Sequence, residues 1–102
     1  MVHYFEITCK LGKIVRTTKE YWTFIINAKH PSMKGRKKNV MNTLKDPDEI
    51  RKSKRDPKVY LYYREIKKKY ICVVCKHLNG EGYIITTYLT SRIMEGESIW
   101  KK

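Results

Sequence analysis

Between residues 58 and 90 the chain holds three runs rich in aromatic and β-branched residues, cut by two short polar turns. The first, 58–66, contains Val59-Tyr60-Leu61-Tyr62-Tyr63-Arg64; the second spans 70–77 and the third 83–90. Runs of this length and make-up suit pleated strands. Lys67-Lys68-Lys69 separates the first two. Residues 78–82 separate the last two and include Asn79-Gly80, a strong hairpin signal. Strands joined by such short turns run antiparallel, because a parallel pair needs a crossover of a dozen residues or more. The spacing therefore predicts a three-stranded antiparallel meander.

Upstream the pattern changes. Residues 2–9 are rich in β-formers, Leu11-Gly12-Lys13 reads as a turn, and Ile14 and Val15 continue a short hairpin. Thr17 or Thr18 caps a helix with Glu20 in its first turn. Tyr21, Trp22, Phe24, Ile25 and Ile26 give that helix a broad apolar face. It ends at His30-Pro31, because the residue before proline avoids the α region. Val40, Met41 and Leu44 mark a second helix, which Asp46-Pro47-Asp48 stops. Residues 50–56 read as a charged connection, and 91–100 as a tail with a turn at Glu95-Gly96-Glu97. A hairpin and helices followed by a run of strands predict an α+β fold. In it an N-terminal β-hairpin and two helices pack on an antiparallel meander sheet, within one domain over 1–102.

Charge points to a partner. Lys and Arg number 23 against 10 acidic residues, a net charge of +13. Such an excess bears on partners rather than on fold. Nucleic acid is the usual polyanion, and RNA is the expected partner. The surplus is densest over 34–55, with nine Lys/Arg against three acids. A generic basic surface is the plainer alternative.

Cys9, Cys72 and Cys75 all lie in apolar runs, as buried reduced thiols of a cytoplasmic protein would. Cys72 and Cys75 form a C-x-x-C, yet on a strand they point to opposite faces, and no second cysteine pair completes a zinc set. Neither a metal nor a small-molecule cofactor is expected. Residues 1–9 lack the apolar core of a signal peptide, and no apolar run approaches the length of a membrane span.

Side chains alternate across a strand, so parity sorts the meander into two faces. Val59/Leu61, Ile71/Val73 and Ile85/Leu89 are expected to meet the helices. The other face then displays Tyr60, Tyr62, Arg64, Lys76, Thr86, Tyr88 and Thr90. Tyrosine rings offer stacking surfaces for bases, and cations meet phosphates. An ordinary solvated sheet face accounts for the same residues through β-propensity alone. His30 adds chemistry: histidine is the usual general acid or base in phosphodiester cleavage, and this one sits among Lys29, Lys34 and Arg36, cations that attract a phosphate. A histidine that only complements the helix dipole is the alternative.

Taken in order, Lys29-His30-Pro31, Asp46-Pro47-Asp48 leading to Arg51 and Ser53, Leu61-Tyr62-Tyr63-Arg64, and Ile85-Thr86-Thr87-Tyr88-Leu89-Thr90 resemble the small phage- and plasmid-associated nuclease-like domains of the barnase/EndoU/colicin/RelE-like ribonuclease superfamily. The resemblance spans about 21–100. It implies helices packed on an antiparallel sheet of about four strands, with metal-independent RNA cleavage on the open face. It also implies roles: His30 as the helix histidine, Arg64 as the strand cation, Thr86 and Tyr88 as the Thr-x-Tyr of the last strand, and Arg51 and Ser53 in the Pro-Asp segment. No glutamate falls on the proposed face, which leaves His30 as the better base candidate, its role as acid or base open.

On this reading the RNA 2′-hydroxyl attacks the adjacent phosphate, His30 moves a proton, and Arg64 and Arg51, with Lys76, hold the phosphate. Thr86 and Tyr88 orient it, and Tyr62 stacks on a base. Toxins of this kind meet an acidic antitoxin or immunity protein, which +13 would suit. The rival reading is a non-catalytic basic nucleic-acid-binding module.

Overall fold

The computed structural model describes residues 4–79 and 81–102. The expected positions Val2, His3 and Gly80 lie outside the described residues. The chain forms β1 (Phe5–Thr8), β2 (Ile14–Thr17), α1 (Lys19–Phe24), α2 (Lys37–Lys45), β3 (Glu49–Lys52), β4 (Val59–Ile66), β5 (Lys69–His77), β6 (Glu81–Thr90) and β7 (Glu97–Lys101). This is an α+β fold, and the antiparallel meander forms as β4-β5-β6.

The sheet is larger than a meander. Its seven strands run in the order β1-β2-β6-β5-β4-β3-β7. The N-terminal hairpin joins it through a parallel pairing of β2 with the start of β6, so the sheet is mixed. The charged connection after Pro47 becomes β3, and the tail returns as β7 on its far side. Charge hid both. Glu49 is buried, but Arg51 Nη1 lies 3.1 Å from its Oε2, which makes the burial tolerable. Arg51 Nη2 also donates to the Gly96 carbonyl at 2.8 Å and fastens the chain as it enters β7. A side chain at Gly96 would press on the Lys52 carbonyl, and its φ of +80° is one that glycine adopts freely.

Thr18 caps α1 by accepting from the Tyr21 N–H at 3.1 Å. The expected helix to residue 29 is a hybrid, because α1 opens into a π turn over Ile25–Lys29 and a 3₁₀ turn over Pro31–Met33 follows. His30 between them has φ −138° and ψ 77°, the extended bias of a residue before proline.

Both helices cover one face. There Val15, Trp22, Ile25, Met33, Val40, Leu44, Ile50, Tyr62, Ile71 and Val73 make the main core. A second cluster of Leu61, Tyr63 and Cys72 lies on the other face, where Ile93 packs on it. To reach β7 from β6, residues 91–96 must cross three strands, and this crossing roofs that part of the second face. No helix among the described residues is long and apolar enough to cross a membrane.

Candidate nucleic-acid interface

The structure reverses the parity expected for β4. Tyr60, Tyr62 and Arg64 stand on the helix side, and Leu61 and Tyr63 on the other. β4 is apolar on both faces, so alternation alone did not distinguish them. Tyr62 is wholly buried, with its hydroxyl 3.0 Å from Cys9 Sγ and 2.8 Å from His77 Nε2. It offers no surface to a base. Arg64 Nη1 donates to Asp46 at its carbonyl oxygen (2.8 Å) and its Oδ2 (3.3 Å). Its guanidinium therefore leaves the sheet at the end of α2, behind the face on which it was expected. The ammonium of Lys102, and Arg64 after it, hold the Asp46 carboxyl below the usual carboxylate range.

Lys76, Thr86 and Tyr88 do lie on the second face, and a β-bulge adds a residue to them. The β5–β6 register shifts at Val74/Cys75, so Val74 faces Thr86 while Cys75 faces Ile84, and Ile85 has no partner on β5. That extra residue flips everything before it. Ile84 enters the main core, and Tyr83, expected inside, turns outward opposite Lys76 with 44% of its surface exposed. The Ile85 carbonyl accepts the Tyr21 hydroxyl at 2.6 Å, which fixes α1 along the edge of β6 beyond the end of β2.

His30 reaches the same edge. Its ring centroid lies 5.4 Å from that of Tyr88, in a tilted contact. The Tyr88 hydroxyl lies in the second cluster, where burial and then the Cys72 thiol push its pKa up, so it stays a proton donor. Burial likewise pushes the Cys72 thiol up to about 12, although the neighbouring Tyr88 and Tyr63 hydroxyls favour the thiolate. Glu95, carried over this face by the crossing, adds its negative charge to Tyr63, Cys72 and Tyr88. This is a glutamate on the face where none was expected. Thr86 Oγ1 is buried without a hydrogen-bond partner.

Other expected contact residues divide by role. Arg51 is structural, bound to Glu49 and Gly96. Ser53 accepts from the Arg55 and Asp56 amides and shapes the β3–β4 turn. Lys29 lies over the Phe24 ring with Nζ 5.6 Å from the centroid, Lys34 is exposed, and Arg36 Nε donates to the Ser32 carbonyl. Lys76 Nζ is 3.4 Å from Asp56 Oδ2. The Asp56 carboxyl is held low first by the Lys58 amide and then by Lys76.

Beside Lys76 the β3–β4 turn opens a cleft of about 380 Å³ lined by Ser53, Lys54, Arg55, Leu61, Glu95 and Gly96. Lys54 and Arg55 are exposed. The sequence singled out neither of them, nor Tyr83. The dense charge over 34–55 was a signal for the first two, whereas only the bulge places the third.

All three cysteines are free and buried. Cys75 belongs to the main core and Cys72 to the second cluster, so the C-x-x-C divides between faces. His77, expected beside a loop, is buried, its Nδ1 has no partner among the described residues, and burial followed by the charge of Lys13 pushes its pKa down to about 4.

No protein family, curated protein or solved structure matches this chain.

Proposed function

We propose that this protein binds RNA on the part of the second face left clear by the 91–96 crossing. The pairing of Lys76 with Tyr83 carries this reading. A partly exposed cation and an outward ring are opposite each other on adjacent strands, and the cation pairs with Asp56 in the turn that forms the Lys54/Arg55 cleft. A ring at such a place stacks on an unpaired base, while the cations follow the phosphates. The net charge of +13 supplies long-range attraction.

The test is titration of a fluorescent RNA at several salt concentrations. Binding should weaken steeply with salt, because each neutralised phosphate releases counterions. The double variant Lys76→Ala/Tyr83→Ala should lose at least tenfold in affinity. Retention of full affinity by that variant would sink the assignment of the face.

Cleavage is the second reading, and one observation favours it: His30 and Glu95 both approach Tyr88. An imidazole packed near the Tyr88 ring and a carboxylate whose charge reaches that side chain are suited to moving protons between a ribose hydroxyl and a phosphate. Arg64 takes no part, since it lies behind the sheet. A gel assay on bulk RNA with EDTA should show products from the wild type and none from His30→Ala or Glu95→Gln. RNA that stays intact at high protein concentration excludes this reading and leaves binding in place. An acidic antitoxin or immunity protein, if one accompanies this chain, would meet the same cations and compete with RNA.

A further inference from the structure

The turn between β4 and β5 is built from residues poorly suited to it. Ile66 and Lys69 pair, so Lys67 and Lys68 form a two-residue hairpin loop. Their φ values are +45° and +69°. Among the described residues they alone take positive φ without being glycine. Two left-handed residues in succession are the requirement of a type I′ turn, which Asn-Gly meets at lower cost than Lys-Lys, because asparagine's amide hydrogen-bonds locally and glycine has no Cβ. Nothing inside the fold uses these side chains: Lys67, Lys68 and Lys69 are exposed, and none joins an ion pair among the described residues. Arg92, exposed and just beyond the Thr90 that pairs with Tyr70, stands at the same end of the sheet.

We propose that this lysine tip is a second contact for the RNA phosphate backbone. Backbone strain that no internal contact explains points outward, to a ligand. The proposal rests on the RNA-binding reading above and extends it. Lys69 and Lys76 lie seven residues apart on β5, which at strand rise is roughly 23 Å. The ligand therefore bridges both ends of the sheet. A paired RNA stem of about twelve base pairs covers that distance, and one of about three does not.

The experiment compares wild type, Lys67→Asn/Lys68→Gly and Lys76→Ala/Tyr83→Ala on two stem–loop RNAs with the same loop, of twelve and three base pairs. Melting curves accompany the titrations. The tip variant should melt at a higher temperature, because its turn is relaxed. It should bind the long stem about tenfold more weakly, with the salt slope reduced by about 2. Its affinity for the short stem should equal that of the wild type. Unchanged affinity and slope on the long stem, with binding lost in the Lys76/Tyr83 variant, overturn the tip contact and leave the face assignment standing. Loss in the tip variant alone does the reverse. Should the tip variant keep its RNA affinity but lose wild-type binding to anionic phospholipid vesicles, the tip serves a membrane surface and the proposal fails.

Discussion

The two faces of the sheet treat the same residue types in opposite ways. On the helix side a tyrosine, two cysteines and a histidine form a buried chain, with Tyr62 between Cys9 and His77 and Cys75 Sγ 3.8 Å from His77 Nε2. On the other side an exposed tyrosine stands opposite a partly exposed lysine. A buried hydroxyl has to find partners inside the protein, and one left exposed is available to a ligand. The contrast teaches that residue type did not decide which tyrosines stay open to a ligand. Roofing did: α1 and α2 cover the core of one face, whereas the 91–96 crossing closes only part of the other.

The comparison can be broken most forcefully at Tyr62. Replacing it by alanine empties a large buried site, and unfolding in urea should show a loss of about 3–5 kcal/mol. RNA affinity per folded molecule should not change. A selective loss of binding from Tyr62→Ala or Tyr62→Phe would mean that the buried face serves the ligand after all.

Acid attacks the same buried chain through His77. Its folded pKa of about 4 lies below the ordinary 6.5, so the unfolded chain takes up the proton first. The stabilisation is fully present above pH 6.5 and is lost as pH falls through about 4, by about 2–3 kcal/mol. Denaturation midpoints measured across that window should decline for the wild type and flatten for His77→Gln. Gly82 is set tightly against the ring, since a Cβ there would come 2.9 Å from His77 Nδ1.

On the open face the expected effects are smaller and fall on binding. Tyr83→Ala alone should weaken RNA binding by about 1–3 kcal/mol, the range for one stacked base. Its stability should stay within about 0.5 kcal/mol of wild type, as for a surface change. Smallest of all, Arg64→Ala should alter stability by at most about 1 kcal/mol, since its exposed pair with Asp46 is weak. It should leave RNA affinity nearly untouched. A tenfold loss there would restore Arg64 to the site that its place behind the sheet denies it.

The residues that resisted sequence reasoning did so for physical reasons. Arg51 and Glu49 resemble solvated charges until β3 and β7 enclose them as a pair. β4 carries apolar or aromatic side chains at nearly every position, so no alternation marks its inner face. Tyr83 has the parity of a core residue, and a single extra residue at Ile85 reverses it. Glu95 sits in a segment that resembles a tail, and only the return of β7 to the far edge carries it over the sheet.

Local chemistry was enough for the elements that short-range forces govern. β-branched and aromatic runs with tight turns dictate the β4-β5-β6 meander, Thr18 dictates the start of α1, and His30-Pro31 ends the π turn that follows it. Composition alone made the chain a polycation. Tertiary structure decided the rest: which face the helices cover, where the bulge falls, and how the last strand crosses to pair with β3. Each of these depends on contacts between residues distant in sequence, whose balance of burial against desolvation has no local signature.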